Sequence, residues 1–210
     1  MSTAAKLGTF VPLTAKPNES NAVRDYLLAR YRAVSASESG TIQWIAVKLA
    51  GTQRYLVLNT FASEEGRKAH LDNAIAADLM GKRQAFLVAG DEGMSLRAVE
   101  LLAHKVKKPA GAGLKFGVRV LMTAKADRAE EVKQLLKDVE TETVYASNPP
   151  VWFTFWFPGT TQCGIFALFT SEETREAFLT GPGADSRRAN APNLSHPSDI
   201  AKVDVIAAKF

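Results

Sequence analysis

Hydrophobic and polar positions along the first hundred residues change period several times. Residues 9–15 form a short apolar run ended by Lys16-Pro17-Asn18, which predicts a first strand and a turn. Val23, Tyr26, Leu27, Tyr31 and Val34 then recur on a 3.6-residue period, the mark of an amphipathic helix, with Asn18 or Ser20 available as N-cap. Residues 41–48 and 53–61 read as two strands joined through Gly51, the residue a tight antiparallel hairpin favours. Ser63 is placed to cap a second helix that opens with Glu64 and Glu65, acidic where the helix dipole favours them, and residues 73–88 continue as helix. Residues 98–103 supply a closing strand. The order is β, α, β, β, α, β.

The pattern then repeats. FASEEGRKAHL at 61–71 returns as FTSEETREAFL at 169–179, Trp44 falls on Trp152, and Gly51-Thr52 on Gly159-Thr160. A near-constant offset over half a chain means one supersecondary unit used twice. The predicted division is a first module at 1–104, a linker at 105–113 rich in lysine, proline and glycine, and a diverged second module at 114–210. In the second copy residues 118–122 form the first strand. Asp127 and Glu130 have capping-box spacing for a helix whose Val132, Leu135, Leu136 and Val139 share a face. Residues 151–157 and 163–169 form the hairpin, Ser171 caps a helix, and 203–207 close the module. The Gly-, Pro-, Asn- and Ser-rich stretch 181–198 predicts a loop where the first copy has helix.

The expected fold class is α+β, with tandem ferredoxin-like βαββαβ modules whose helices cover one face of each antiparallel sheet. The other face needs cover as well: 151–157, VWFTFWF, is apolar at nearly every position, although a strand with one wet face should alternate. A second sheet, from the other copy or from a homodimer partner, would supply that cover.

Composition narrows the class further. The chain has 210 residues, 46% of them hydrophobic and 23% charged, which is ordinary for a globular protein. Most of the net charge of +4 comes from Lys105, Lys107 and Lys108, and neither module is basic in itself, so a nucleic-acid partner is not expected. The single cysteine, Cys163, permits no internal disulfide and reads as a small buried hydrophobe. With no signal-like start and no apolar run long enough to span a bilayer, the expectation is a cytoplasmic protein without a membrane partner. Cys/His spacing for a metal and Gly-rich nucleotide loops are both absent from the sequence, so neither metal nor cofactor is expected.

A strand ending in an aromatic residue, followed by S-E-E-x-x-x-A-H-L, within a ferredoxin-like module of this length, resembles the antibiotic biosynthesis monooxygenase family of the dimeric α+β barrel superfamily. The resemblance implies two sheets packed as a barrel, often across a dimer and in some cases from tandem copies in one chain. It also implies chemistry drawn from cofactor-free oxygenation of anthrones and quinols, haem degradation, or isomerisation. The haem-degrading branch carries a Trp at the end of the third strand and an axial His beyond the A-x-L segment. Here those places hold Phe61 and the neighbourhood of Leu79 and Met80, so haem is not expected. His70 occupies a position where the cofactor-free branch often has His.

Aligning the two copies sets Tyr55 over Cys163, Asn59 over Ala167 and His70 over Phe178. The first copy keeps polar groups that the second lacks. Tyr55, Val57, Asn59 and Phe61 share one strand face, so Tyr55, Asn59 and His70 are the candidate catalytic residues. His70 would act as base, Asn59 and Tyr55 would hold an oxyanion, and Trp44, Phe61, Trp152 and Trp156 would line a site for a flat aromatic substrate. The same site also suits a cofactor-free isomerase, cyclase or decarboxylase, or a non-catalytic binding or stress-associated protein.

Overall fold

The computed structural model describes residues 5–107, 113–138 and 149–210. Among the described residues eight strands, β1 (Leu7–Thr14), β2 (Gln43–Leu49), β3 (Arg54–Phe61), β4 (Arg97–Val106), β5 (Phe116–Thr123), β6 (Val151–Trp156), β7 (Gln162–Phe169) and β8 (Asp199–Lys209), follow one another in the hydrogen-bonded order β1-β3-β2-β8-β5-β7-β6-β4 and close as an antiparallel barrel, the tandem ferredoxin-like α+β class expected from the repeat. The chain clusters into two compact units, one running to Val99 and taking in Asp204–Phe210, the other Glu100–Val203.

In the first unit β3 (Arg54–Phe61) lies between β1 (Leu7–Thr14) and β2 (Gln43–Leu49), antiparallel to both. The β2–β3 turn passes through Gly51 at φ 69°, a left-handed conformation that costs glycine little. Helix α1 (Ser20–Ser37) lays Val23, Leu27 and Val34 on Val11, Leu13, Trp44, Ala46, Tyr55 and Val57. The predicted helix face is the one that packs. Its N-terminus differs from expectation: Glu19 is the N-cap and makes no side-chain cap bond. Asn18 sits at φ 69° in the preceding turn, and the Ser20 hydroxyl is taken by Tyr55 instead. The Ser63 hydroxyl accepts from the Gly66 amide at the start of α2 (Glu64–Leu71), as the sequence indicates. Helices α3 (Ala74–Phe86) and α4 (Gly90–Gly93) lead into β4 (Arg97–Val106), whose first residues stay with this unit.

The second unit repeats the plan, with β7 (Gln162–Phe169) between β5 (Phe116–Thr123) and β6 (Val151–Trp156). Val132 and Leu136 of α5 (Ala129–Asp138) are buried, while Val139 lies outside the described residues. The capping-box expectation fails because a 3-10 turn over Ala126–Arg128 precedes α5, which places Asp127 inside the first turn, ion-paired with Arg128. Ser171 caps α6 (Glu172–Thr180) through the Thr174 amide. The predicted loop at 181–198 is also corrected, since Pro182–Ala189 is helical (α7). Proline is tolerated in a first helical turn, Ala184 is buried, and Arg187 stacks on the Phe178 ring and bonds the Phe178 carbonyl. Packing therefore overrides a loop-like composition. Val106 extends the closing strand into the predicted linker, of which residues 108–112 lie outside the described set. Every residue of β6 is buried, Phe153 and Phe155 completely so, and β8 (Asp199–Lys209) divides between the units at Val203.

Candidate functional site

The site is built on a cross-strand row. Asn59 on β3 faces Thr9 on β1 and Trp44 on β2, and directly opposed residues of an antiparallel pair project from the same face. That face carries Val11, Trp44, Ala46, Tyr55 and Val57 in the helix-packed core. The equivalent row of the second unit is Val118, Ala167 and Trp152. The tryptophan is kept, and two polar groups have become apolar.

Above the row, α2 delivers His70. Its ring centroid lies 5.3 Å from that of Phe61 at 49°, and Phe178 repeats this geometry over Phe169 at 5.4 Å and 54°. One ring pair is thus conserved in shape across the repeat while its chemistry differs. His70 Nδ1 lies 2.6 Å from Glu38 Oε2 and 3.2 Å from the Thr41 hydroxyl. Its Nε2 lies 3.3 Å from Asn59 Nδ2, which donates at 2.9 Å to the Thr9 hydroxyl. Thr41 Oγ1 donates to Glu38 Oε2 at 2.6 Å, and Asn73 Nδ2 donates to Glu38 Oε1 at 2.7 Å. The side chains of His70 and Glu38 are each only 10% exposed. A carboxylate can only accept, so Nδ1 donates its N–H to Glu38, which leaves Nε2 of the neutral ring as the nitrogen that would face the Asn59 amide. Burial pushes the Glu38 carboxyl up, but hydrogen bonds from Thr41, His70 and Asn73 outweigh it and hold the group below its ordinary value of 4.5. The Asn59 carbonyl oxygen is buried without a hydrogen-bond partner, an acceptor open to an incoming donor.

Two of the three candidate catalytic residues, Asn59 and His70, therefore meet. Tyr55 does not join them: it stands four residues along β3, about 13 Å at the rise of a strand. Its hydroxyl is 2.5 Å from Ser20 Oγ and donates to the Ser20 carbonyl at 2.7 Å. Lys48 Nζ donates to the same Ser20 hydroxyl at 3.0 Å and lies over the Tyr55 ring, so Tyr55 ties the start of α1 to the sheet. Trp44 packs in the first core beside Tyr31, whereas Trp152 and Trp156 pack in the second core, with Trp156 Nε1 donating to the Thr160 carbonyl. Cys163 is fully buried, and desolvation raises its thiol to about 12, as befits a packing residue.

Sequence reasoning missed Glu38, Thr41 and Thr9. Glu38 and Thr41 flank Ser39-Gly40, where the turn signal masked them. Thr9 had one available signal, its replacement by Val118 at the repeat offset. Among the described residues no cluster of three or more His, Cys, Asp or Glu is arranged to hold a metal, and no helix is long and apolar enough to cross a membrane.

Neither a protein-family model nor a curated protein matches the sequence. Solved structures do match the fold. A protein from Fusobacterium nucleatum provisionally described as a monooxygenase superposes with a TM-score of 0.84, covering 100% of this chain and 95% of its own at 11% identity. An anthrone oxidase-like protein gives 0.66 over 97% and 92% at 10% identity. A ferredoxin-fold protein from Listeria monocytogenes, described as related to antibiotic biosynthesis monooxygenases, gives 0.54 over 97% and 96% at 11% identity. At this identity the likeness is one of fold, and the chain shares its tandem ferredoxin-like architecture with these proteins.

Proposed function

We propose that the first module is the site of a cofactor-independent monooxygenase acting in the cytoplasm on an aromatic small molecule of the anthrone or quinol kind. The observation that carries this reading is the Glu38–His70–Asn59 line, buried against an apolar sheet, with Phe178 and Ala167 standing in the second module where the first has His70 and Asn59. His70 offers Nε2 as a base, and Glu38 fixes the tautomer and stabilises the imidazolium formed when the proton arrives. In the resting site the Asn59 amide occupies Nε2. An acidic substrate C–H or O–H takes that place, and the displaced amide N–H turns to the developing oxyanion. The resulting anion is electron-rich enough to reduce O2 directly. For an anthrone, the ring CH2 becomes C=O with one oxygen atom from O2, and the other leaves as water, so the substrate itself supplies all four electrons. Trp44 and Phe61 give the flat ring an apolar surround.

The test is oxygen uptake and product analysis with a panel of anthrones and naphthoquinols. The expected result is one O2 consumed per quinone formed, stopping under argon and abolished in His70→Ala. Product formation that continues at full rate under argon would favour the isomerase, cyclase or decarboxylase reading. Tight binding without turnover would favour a binding protein.

A further inference from the structure

Glu38 occupies an awkward place. It is the C-cap of α1, its amide bonded to the Val34 carbonyl at 3.1 Å. At that end of a helix the unpaired carbonyls already concentrate negative partial charge, so a carboxylate is disfavoured there. The described part of α1 has no basic residue in its last turn to offset this. The compensating cation comes from the far end of the chain. Lys209 Nζ donates to the Glu38 carbonyl and lies 3.5 Å from the Val34 carbonyl. Burial pulls this ammonium down from its ordinary value, while the nearby Glu38 charge acts in the opposite sense.

Lys209 belongs to Asp204–Phe210, the part of β8 that clusters with the first unit. It is also a repeat position. The closing strands align as AVELLAHK at 98–105 and KVDVIAAK at 202–209, with Val99 over Val203, Glu100 over Asp204, Ala103 over Ala207 and Lys105 over Lys209. The sequence thus keeps a lysine at the end of both closing strands, where the pattern is otherwise largely apolar.

We propose that Lys209 is a positioning residue for His70, so that the closing strand of the second repeat completes the site of the first. By holding the last carbonyls of α1, the ammonium fixes the backbone from which Glu38 reaches Nδ1, and it neutralises the charge that the helix end would repel. This inference rests on the reading of His70 as the base, but its test does not require turnover.

The experiment uses the full chain labelled with 15N-histidine, with the His70 imidazole observed at about pH 8, where an ordinary histidine is neutral. Wild type should show a single Nδ1–H tautomer. In Lys209→Met, which keeps the aliphatic stem and loses the cation, the Nδ1–H population should fall towards the mixture of free imidazole. Lys209→Arg should restore it, and Lys202→Met, on the same strand but ion-paired with Glu176, should leave it unchanged. A wild-type tautomer in folded Lys209→Met would overturn the proposal. If that variant does not fold, Lys209→Gln, which is polar but lacks the cation and the reach of lysine, decides: a shifted tautomer population supports the role and an unchanged one rejects it. A chain that turns over no aromatic substrate would sink the oxygenase reading without altering this result.

Discussion

Replacing His70 by Phe asks the first module to accept the residue that the second already uses over Phe169. The ring fits, because Phe61–His70 and Phe169–Phe178 have nearly the same spacing and tilt. The hydrogen bonds do not. Losing the 2.6 Å bond to the Glu38 carboxylate costs about 1.5–3 kcal/mol, and leaving one Asn59 N–H without its acceptor costs about 1 kcal/mol, the low end because that contact is 3.3 Å. The more apolar ring recovers roughly 1–2 kcal/mol on burial. The net loss is about 2 kcal/mol, or roughly 4–8 °C in Tm for a chain of this length, measured by urea and thermal unfolding. Adding Asn59→Ala and Thr9→Val, which installs the second module's row, removes the stranded Asn59 amide. The triple variant should therefore be more stable than the sum of its single changes, since these residues touch. A single His70→Phe variant as stable as wild type would refute the description of Glu38–His70–Asn59 as a satisfied network.

Other consequences follow from neighbouring groups. Because the folded-state carboxyl of Glu38 lies below its ordinary 4.5, its contribution to stability is present above that value and is lost as pH falls through the folded value. The stability gap between wild type and Glu38→Gln should accordingly be wide at neutral pH and close under acid, as followed by denaturation at a series of pH values. Gly8→Ala would drive a methyl group into the Asn59 backbone carbonyl, as the same change at Gly117 would at the backbone of Ala167. Each should cost about 1–3 kcal/mol, and only the Gly8 variant should also lower turnover. Tyr55→Phe should cost about 1 kcal/mol through its lost bonds to Ser20 and leave kcat within about twofold, since the phenol stands away from His70.

The repeat made the architecture legible, because two copies of one hydrophobic pattern fix strand order and helix faces more firmly than either copy alone. It also pointed to the candidate site through disagreement, with Asn59 and His70 standing out against Ala167 and Phe178. What stayed hidden depended on long-range pairing. Glu38 looked like a loop residue because its value comes from a histidine 32 positions away and a lysine 171 positions away. Tyr55 shared the right strand face, but face alone says nothing about position along the strand, and its hydroxyl went to Ser20. At 181–198 the composition suggested loop, whereas burial of Ala184 and the Arg187–Phe178 contact stabilise helix.

The first chemical step can be isolated from oxygen. An anthrone that is oxidised in air, held with the protein in D2O under argon, should exchange its acidic ring hydrogens faster with wild type than with His70→Phe by about 10²–10⁴, the range of positioned general bases. Equal exchange with the two proteins would contradict the central claim that His70, held by Glu38, takes the proton.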